Sequence, residues 1–405
     1  MRKKFQTYLF FLLGVMCLGL SIVIAAAVIV DPYALYRDHE TITGVDGFAR
    51  IVKPVWVVER APQIALAGSS RAEFLLDPQI VTEITGRTAF NIALSGANIY
   101  ELRRNVEHVV AVAPIETVIV GLDFFMFNAE RGNRPGFREE RLAIAEDGKS
   151  NPHYWMTGLA ATLVSRDSID AVRRTIKYRD ANKACQDSWT EWGGRLANGY
   201  ECQLSAINGQ QNNVRATLSH YLRKPSGLYN GYKLDTRPFP SNSMENIDRL
   251  VALAADERSL VLYISPVHAL HLQLIEEMAL WDVFEEWKRA LAHKVAVARA
   301  QGINVVLWDL AVIGPLTSRP VFEADVSAQA EFYDSNHLRM SQKRRVLQVL
   351  LGTVEQETSV AVLLLPGTIE AHLQSLRIKR EIWARAHPVD MGVLAGLVEA
   401  FSVQE

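Results

Sequence analysis

The sequence predicts an α/β domain whose parallel sheet is covered by helices on both faces, tethered to a membrane by one N-terminal helix. Three observations predict it. Five short apolar runs recur within residues 60–352 with little polar alternation, as in strands buried on both faces. Helical patterns lie between several of them, and such alternation builds a doubly wound, three-layer α/β/α sheet. Ahead of all of them, residues 8–30 carry no charged side chain.

The N-terminus comes first. Tyr8 to Val30 gives 23 residues of apolar helix, enough to cross a bilayer core. Arg2, Lys3 and Lys4 precede it, so the positive-inside rule keeps residues 1–7 cytoplasmic and sends the rest across the inner membrane, to the periplasm or its equivalent. The rival is a cleaved signal peptide, for which Ala25-Ala26-Ala27 offers small residues. The run exceeds an ordinary signal-peptide core, which favours an uncleaved single-pass anchor with the bilayer as its partner. Residues 31–59 then read as a linker. With 405 residues, 49% hydrophobic and 22% charged, the chain can bury a sizeable core. A net charge of −2 supplies no basic field, and no nucleic-acid motif is present, which argues against a nucleic-acid partner.

The predicted strands are residues 64–68, 89–95, 117–125, 259–266 and 304–310. Helices are expected over 77–85, 100–112 and 274–301, the last stopped by Gly302, and a final one over 341–350. Residues 128–256 interrupt this rhythm. They are rich in Arg, Asn, Gly, Tyr and Trp, include Trp155, Trp189 and Trp192, and contain a turn-rich stretch at 224–243. A loop this long needs structure of its own, so it reads as an inserted subdomain or lid at the catalytic edge, or as an embellishment away from substrate. Residues 353–405 form a helical tail that docks on the domain or on a partner. Of three cysteines, Cys17 lies in the anchor. Cys185 and Cys202 either close a loop in an oxidising compartment, worth about 3 kcal/mol in the chain-entropy model, or are unrelated thiols. No cysteine or histidine cluster points to zinc, and no metal or other cofactor is expected.

The chemistry-bearing residues lie where such a sheet opens its site, beyond the carboxyl ends of the strands. Gly68-Ser69-Ser70-Arg71 ends the first strand. A tight turn there exposes the Ser70 hydroxyl beside the free N–H groups of the next helix. Either serine also suits an N-cap. Asp334-Ser335-Asn336-His337 follows the last predicted strand, and Asp-x-x-His occurs once in the chain. His337 would serve as general base to Ser70 and then as acid to the leaving group, with Asp334 holding its tautomer. His268 and His271 have a spacing that can bind metal on a helix, but no third ligand accompanies them. Arg71 would meet an anionic substrate or form a surface ion pair, and Asn91 would brace its loop.

Four ordered blocks carry a resemblance. Gly68-Ser69-Ser70-Arg71 after strand one, Asn91 to Gly96 after strand two, Gly121-Leu122-Asp123 after strand three, and Asp334-x-x-His337 are similar to the SGNH/GDSL hydrolase superfamily, across most of residues 60–350. The resemblance implies a flavodoxin-like fold with Ser70 as nucleophile, His337 and Asp334 as its partners, and the Gly96 N–H as an oxyanion donor. Ser69 replaces the family's Asp. Asp123 replaces its third-block Asn, and an ionised carboxylate cannot donate to an oxyanion. Asp123 then points elsewhere, is protonated, or leaves the hole to the N–H groups of Ser70 and Gly96.

An anchored, exported domain of this kind resembles the envelope proteins that add or remove acyl groups on polysaccharides, as in alginate and peptidoglycan O-acetylation and teichoic acid D-alanylation. The expected activity is Ser-His-Asp transfer of an acyl group, such as acetyl, to or from an envelope polysaccharide. The resemblance further implies a polytopic membrane acyltransferase as donor partner. The alternative is a catalytically inactive SGNH-like module that binds glycan or scaffolds an envelope assembly.

Overall fold

The computed structural model describes residues 2–37, 42–43, 47–177, 185–223, 228–234, 243–255, 257–323, 331–354 and 358–402. All five predicted strands form and join one sheet: β1 (Ile64–Ala67), β2 (Ala89–Asn91), β3 (Thr117–Leu122), β4 (Ser259–Ile264) and β5 (Val305–Asp309). A short β6 (Val362–Leu363) adds to the edge. The order is β2-β1-β3-β4-β5-β6, parallel throughout except for β6, which runs antiparallel to β5. β1 therefore lies between β2 and β3, with Ile64 opposite Ala89 on one side and Thr117 on the other. The chain winds one way from β1 to β2 and the other way from β3 onward. This reversal opens a crevice at the carboxyl ends of β1 and β3.

Alternate strand residues feed two separate cores. Ala65, Ala67, Val118 and Val120 face one, covered by the helices Ala49–Arg60, Ile99–Val112, Glu245–Ala252 and Trp281–Ala300. Ile64, Leu66 and Ile119 face the other, with Leu75, Val81, Val346 and Leu347 from the helices Ser70–Leu75, Pro78–Thr85 and Lys343–Leu350. Burial on both faces is why the strands read as continuous apolar runs.

Two helices differ from expectation. The pattern over 274–301 is broken into Ala269–Glu277 and Trp281–Ala300, because Ala279 takes the left-handed conformation at φ +54°. Within residues 31–59, Ala49–Arg60 is a helix that buries Ile51, Val52, Trp56 and Val57, despite Pro54 in its interior.

The N-terminal helix Arg2–Val30 is long and apolar enough to cross a membrane. The insertion holds the helices Tyr154–Leu163, Arg166–Lys177, Asn198–Leu204, Gly209–Leu222 and Glu245–Ala252, and a ribbon of Ser188–Trp189 with Arg195–Leu196 that also pairs Ile42–Thr43. Cys185 and Cys202 are bridged and tie this ribbon to the helix that follows it. Much of the turn-rich stretch at 224–243 (residues 224–227 and 235–242) lies outside the described residues. The tail docks on the domain. Trp383 donates to the Ser318 carbonyl at 2.7 Å, and Asp390 accepts from the N–H groups of Val321 and Phe322.

Candidate active site

The turn after β1 sets the geometry. Gly68 has φ +148°, and a Cβ there would lie 2.4 Å from the Ala72 Cβ, so only glycine lets the chain turn this tightly into the helix. Ser69 is the N-cap of that helix, its Oγ accepting from the Arg71 N–H. Ser70 is thereby left as the first helical residue, with its hydroxyl free of capping duty. Its Oγ lies 2.9 Å from His337 Nε2.

His337 arrives from the loop after β5, 267 positions along the chain from Ser70. Its Nδ1 is 2.7 Å from Asp334 Oδ2, so Nδ1 carries the proton and Nε2 is left to accept from Ser70. Asp334 is fully buried. It also accepts from Tyr200 Oη (2.9 Å), Thr217 Oγ1 (3.1 Å) and the N–H groups of Asn336 and His337. Burial by itself would raise the Asp334 pKa. The His337 ring and these donors outweigh it and hold the carboxyl well below the usual range, so it stays ionised. Phe74 and Tyr200 flank the imidazole, with ring centroids 5.1 and 5.6 Å away.

These groups line a cavity of about 540 Å³ together with Gly96, Arg131, Arg134, Arg195, His220 and Tyr221. That is the size of a small-ligand site. Gly96 has φ +66° and lies on the loop after β2, where Asn91 donates to the carbonyls of Ala72 and Leu76 and accepts from the Ala93 N–H. Asn91 thus braces the loop, as its position suggested. Neither the Ser70 nor the Gly96 N–H donates to another described residue, so both remain available.

Asp123 is not part of the cavity wall. It is buried and accepts a short hydrogen bond from Ser69 Oγ, with Arg71 Nη1 at 3.4 Å. Arg71 is no surface residue. Its Nη2 donates to Tyr221 Oη at 2.7 Å and sits 3.3 Å from His271 Nε2. His271 in turn places Nδ1 3.0 Å from Ser335 Oγ. His268 caps the helix Ala269–Glu277 by accepting from the Leu270 N–H, and its Nε2 is 2.6 Å from the Arg319 carbonyl. Both histidines are buried away from the cavity, engaged in structure.

Sequence reasoning missed Tyr200, Thr217, Arg131 and Arg134, all on the insertion. No motif marks them, and the only signal was the insertion's Arg and Tyr content. Its tryptophans Trp155, Trp189 and Trp192 do not line the site. Trp189 is buried and donates to Glu73 Oε1 at 3.0 Å. No family model matches this chain, and no curated protein matches it.

Proposed function

We propose that the chain is a membrane-anchored, exported acyl-transfer enzyme of SGNH type, with Ser70 as nucleophile, His337 as acid and base, and Asp334 as the group that holds the histidine. The observation that carries this reading is the hydrogen-bond line from Ser70 Oγ through the His337 ring to Asp334, opening on a cavity beyond the carboxyl ends of the strands. The strand order 2-1-3-4-5 is that of flavodoxin-like sheets and supports the same reading.

In this mechanism Ser70 Oγ attacks the acyl carbonyl carbon while His337 Nε2 takes its proton. Asp334 stabilises the resulting imidazolium. The N–H groups of Ser70 and Gly96 receive the oxyanion. The intermediate collapses, the leaving alkoxide takes the proton from Nε2, and the acyl group remains on Ser70. An incoming hydroxyl then gives its proton to His337 Nε2 and takes the acyl group, and Ser70 Oγ recovers that proton from Nε2 as it leaves. That hydroxyl belongs to an envelope polysaccharide in a transferase and to water in an esterase; acetyl is the acyl group proposed, and a polytopic membrane acyltransferase its supplier.

Asp123 favours a second reading, an SGNH-like module that binds glycan without catalysis, since a side-chain oxyanion donor is absent at that position. One experiment separates the two. A neutral fluorophosphonate is expected to label the folded full-length protein, and labelling should vanish in Ser70→Ala and drop sharply in His337→Ala. A folded wild type that takes no label would sink the enzymatic reading.

A further inference from the structure

The cavity wall holds two guanidinium groups that make no ion pair among the described residues. Arg131 is partly buried. Its Nη2 donates to the Gly96 carbonyl, and its buried Nε has no acceptor. Arg134 is exposed at the rim, and its side chain bonds to no described residue. Neither forms an ion pair with a described carboxylate, although Arg195 nearby is paired with Asp187 and Glu73. Glu101, whose charge acts on Arg131 from a distance, is hydrogen-bonded instead by Arg50 and by the Arg134 backbone N–H.

Both guanidiniums crowd the proposed oxyanion donor. At the position where a Gly96 Cβ would stand, Arg131 Nη2 is 3.2 Å away and Arg134 Nε 3.6 Å. Among the described residues, the only carboxylate lining the cavity is Asp334, already committed to His337. Burial and the adjacent Arg134 charge push the Arg131 pKa down to about 10, against the pull of Tyr221 and Glu101. Burial, Arg223 and then these same two charges lower the pKa of His220, which also lines the cavity.

A buried cation without a partner is costly unless a ligand supplies the anion. We propose that Arg131 and Arg134 form an anion subsite beside Gly96, which selects substrates carrying a carboxylate or phosphate close to the acylated oxygen. The guanidinium fork suits both groups. This rests on the acyl-transfer reading only for where the reacting carbonyl sits, so binding of the anion is measured apart from catalysis.

The test is equilibrium binding of three matched sugars to the full-length protein at low salt: glucuronate, glucose 6-phosphate and neutral glucose. One or both anions are expected to bind at least about tenfold more tightly than glucose, the scale of a charge-assisted hydrogen bond. The stronger of the two identifies carboxylate or phosphate. Arg131→Gln combined with Arg134→Gln should abolish the difference, and added salt should shrink it. Equal binding of all three sugars by the wild type overturns the subsite, even where fluorophosphonate labelling of Ser70 succeeds. Tight anion binding without labelling keeps the subsite and removes the enzyme.

A separate observation concerns the membrane side. On the N-terminal helix, the residues shielded from solvent are Val23, Ile24, Ala26, Ala27 and Val30, among those described. The helices Tyr154–Leu163 and Arg166–Lys177 pack against this helix. That contact zone reaches roughly 10 Å along the axis below Val30, at 1.5 Å per residue. If residues 8–30 fill the hydrocarbon core, the zone lies within the outer leaflet. Tyr154–Leu163 has no charged residue, and it exposes Trp155 (58%), Met156 (51%) and Leu159 (46%).

We infer that this helix lies in the interfacial region of the outer leaflet, its exposed apolar face against the acyl chains and the charged helix Arg166–Lys177 beside it at headgroup level. The bilayer, continuous with the anchor, is its occupant. A nitroxide at Leu159→Cys, on a Cys17→Ser background in lipid nanodiscs, should be reached by oxygen rather than by a water-soluble nickel complex. A label at Met16→Cys should behave alike, and one at Ile207→Cys, 90% exposed on the insertion, should do the opposite. A water-exposed Leu159 label overturns the inference, whether or not Met16 lies in lipid.

Discussion

Ser69 and Ser70 are adjacent, yet they enter two polar networks of nearly the same composition and opposite character. Ser70 joins His337 and Asp334 along one cavity wall, where its hydroxyl opens on the cavity. Ser69 joins Asp123, Arg71, Tyr221, His271 and Ser335 in the interior, where every group is buried. Both contain serine, aspartate and histidine. What differs is the partner of each aspartate. Asp334 points at an imidazole and so prepares a base. Asp123 points at a guanidinium, which neutralises it and stores no proton to transfer. Residue content therefore does not make a catalytic site; the pairing and the access do.

The largest expected effect tests that contrast directly. Ser70→Ala should abolish labelling and lower acyl-transfer turnover by at least about 10⁴-fold, the scale seen when a triad nucleophile is removed, while thermal stability moves by less than about 1 kcal/mol. Comparable loss of labelling in a stable Ser69→Ala protein would reverse the assignment.

Next in size is Asp123→Ala. It leaves the Arg71 charge buried without its counter-ion, which should destabilise the fold by about 3–5 kcal/mol in chemical denaturation. Asp123→Asn installs the third-block residue of the SGNH pattern. It should not raise the labelling rate, because this side chain is turned from the cavity. A gain of about 10²–10³-fold, the worth of one oxyanion donor, would show that position 123 faces the substrate after all.

The sheet was legible in the sequence because strands buried on both faces announce themselves as apolar runs, and all five appear. The triad was legible because its members sit on the loops after β1 and β5, where the winding must bring them to one edge. Three things were not legible. Pro54 hid the helix at 49–60, since its interior proline reads as a stop. The direction in which Asp123 points depends on Arg71, whose burial follows from Tyr221 on the insertion. The cavity residues Tyr200, Thr217, Arg131 and Arg134 come from a segment whose placement rests on tertiary packing alone, without periodicity or motif to mark it.

The buried network should also show itself in acid. Burial and the Arg71 charge push the His271 pKa well below its ordinary value of 6.5, so the folded protein holds it neutral. The unfolded chain takes up that proton first, and the stability it contributes is present above about pH 6.5 and lost as pH falls further. The slope is about 1.4 kcal/mol per pH unit for one such group. His271→Gln should flatten the stability profile between roughly pH 6 and 5 by that amount. Glu73 adds a second, lower step. Burial would raise its pKa, but Lys53 and Arg195 bring it from 4.5 to about 2, so its contribution is lost only as pH drops from about 4.5 toward 2. An unchanged slope in His271→Gln would mean that this histidine is charged in the fold, and that the Arg71 cluster is arranged differently.

The smallest effect belongs to Ser69 itself. Its Oγ accepts from the Arg71 N–H as N-cap and donates to Asp123. Ser69→Ala removes both bonds but no charge, and the cap loss should cost about 1 kcal/mol in denaturant unfolding. The helix start positions the Ser70 hydroxyl, so labelling should slow only to the extent that this turn frays. Ser69→Asp provides the sharper comparison, since it installs the aspartate of the SGNH pattern beside Asp123. Two carboxylates would then share one buried site near a single Arg71, and one of them must take a proton or the turn must open. A Ser69→Asp protein as stable as the wild type would show that the interior network has room for a second acid, and that its separation from the triad is a matter of access rather than of charge.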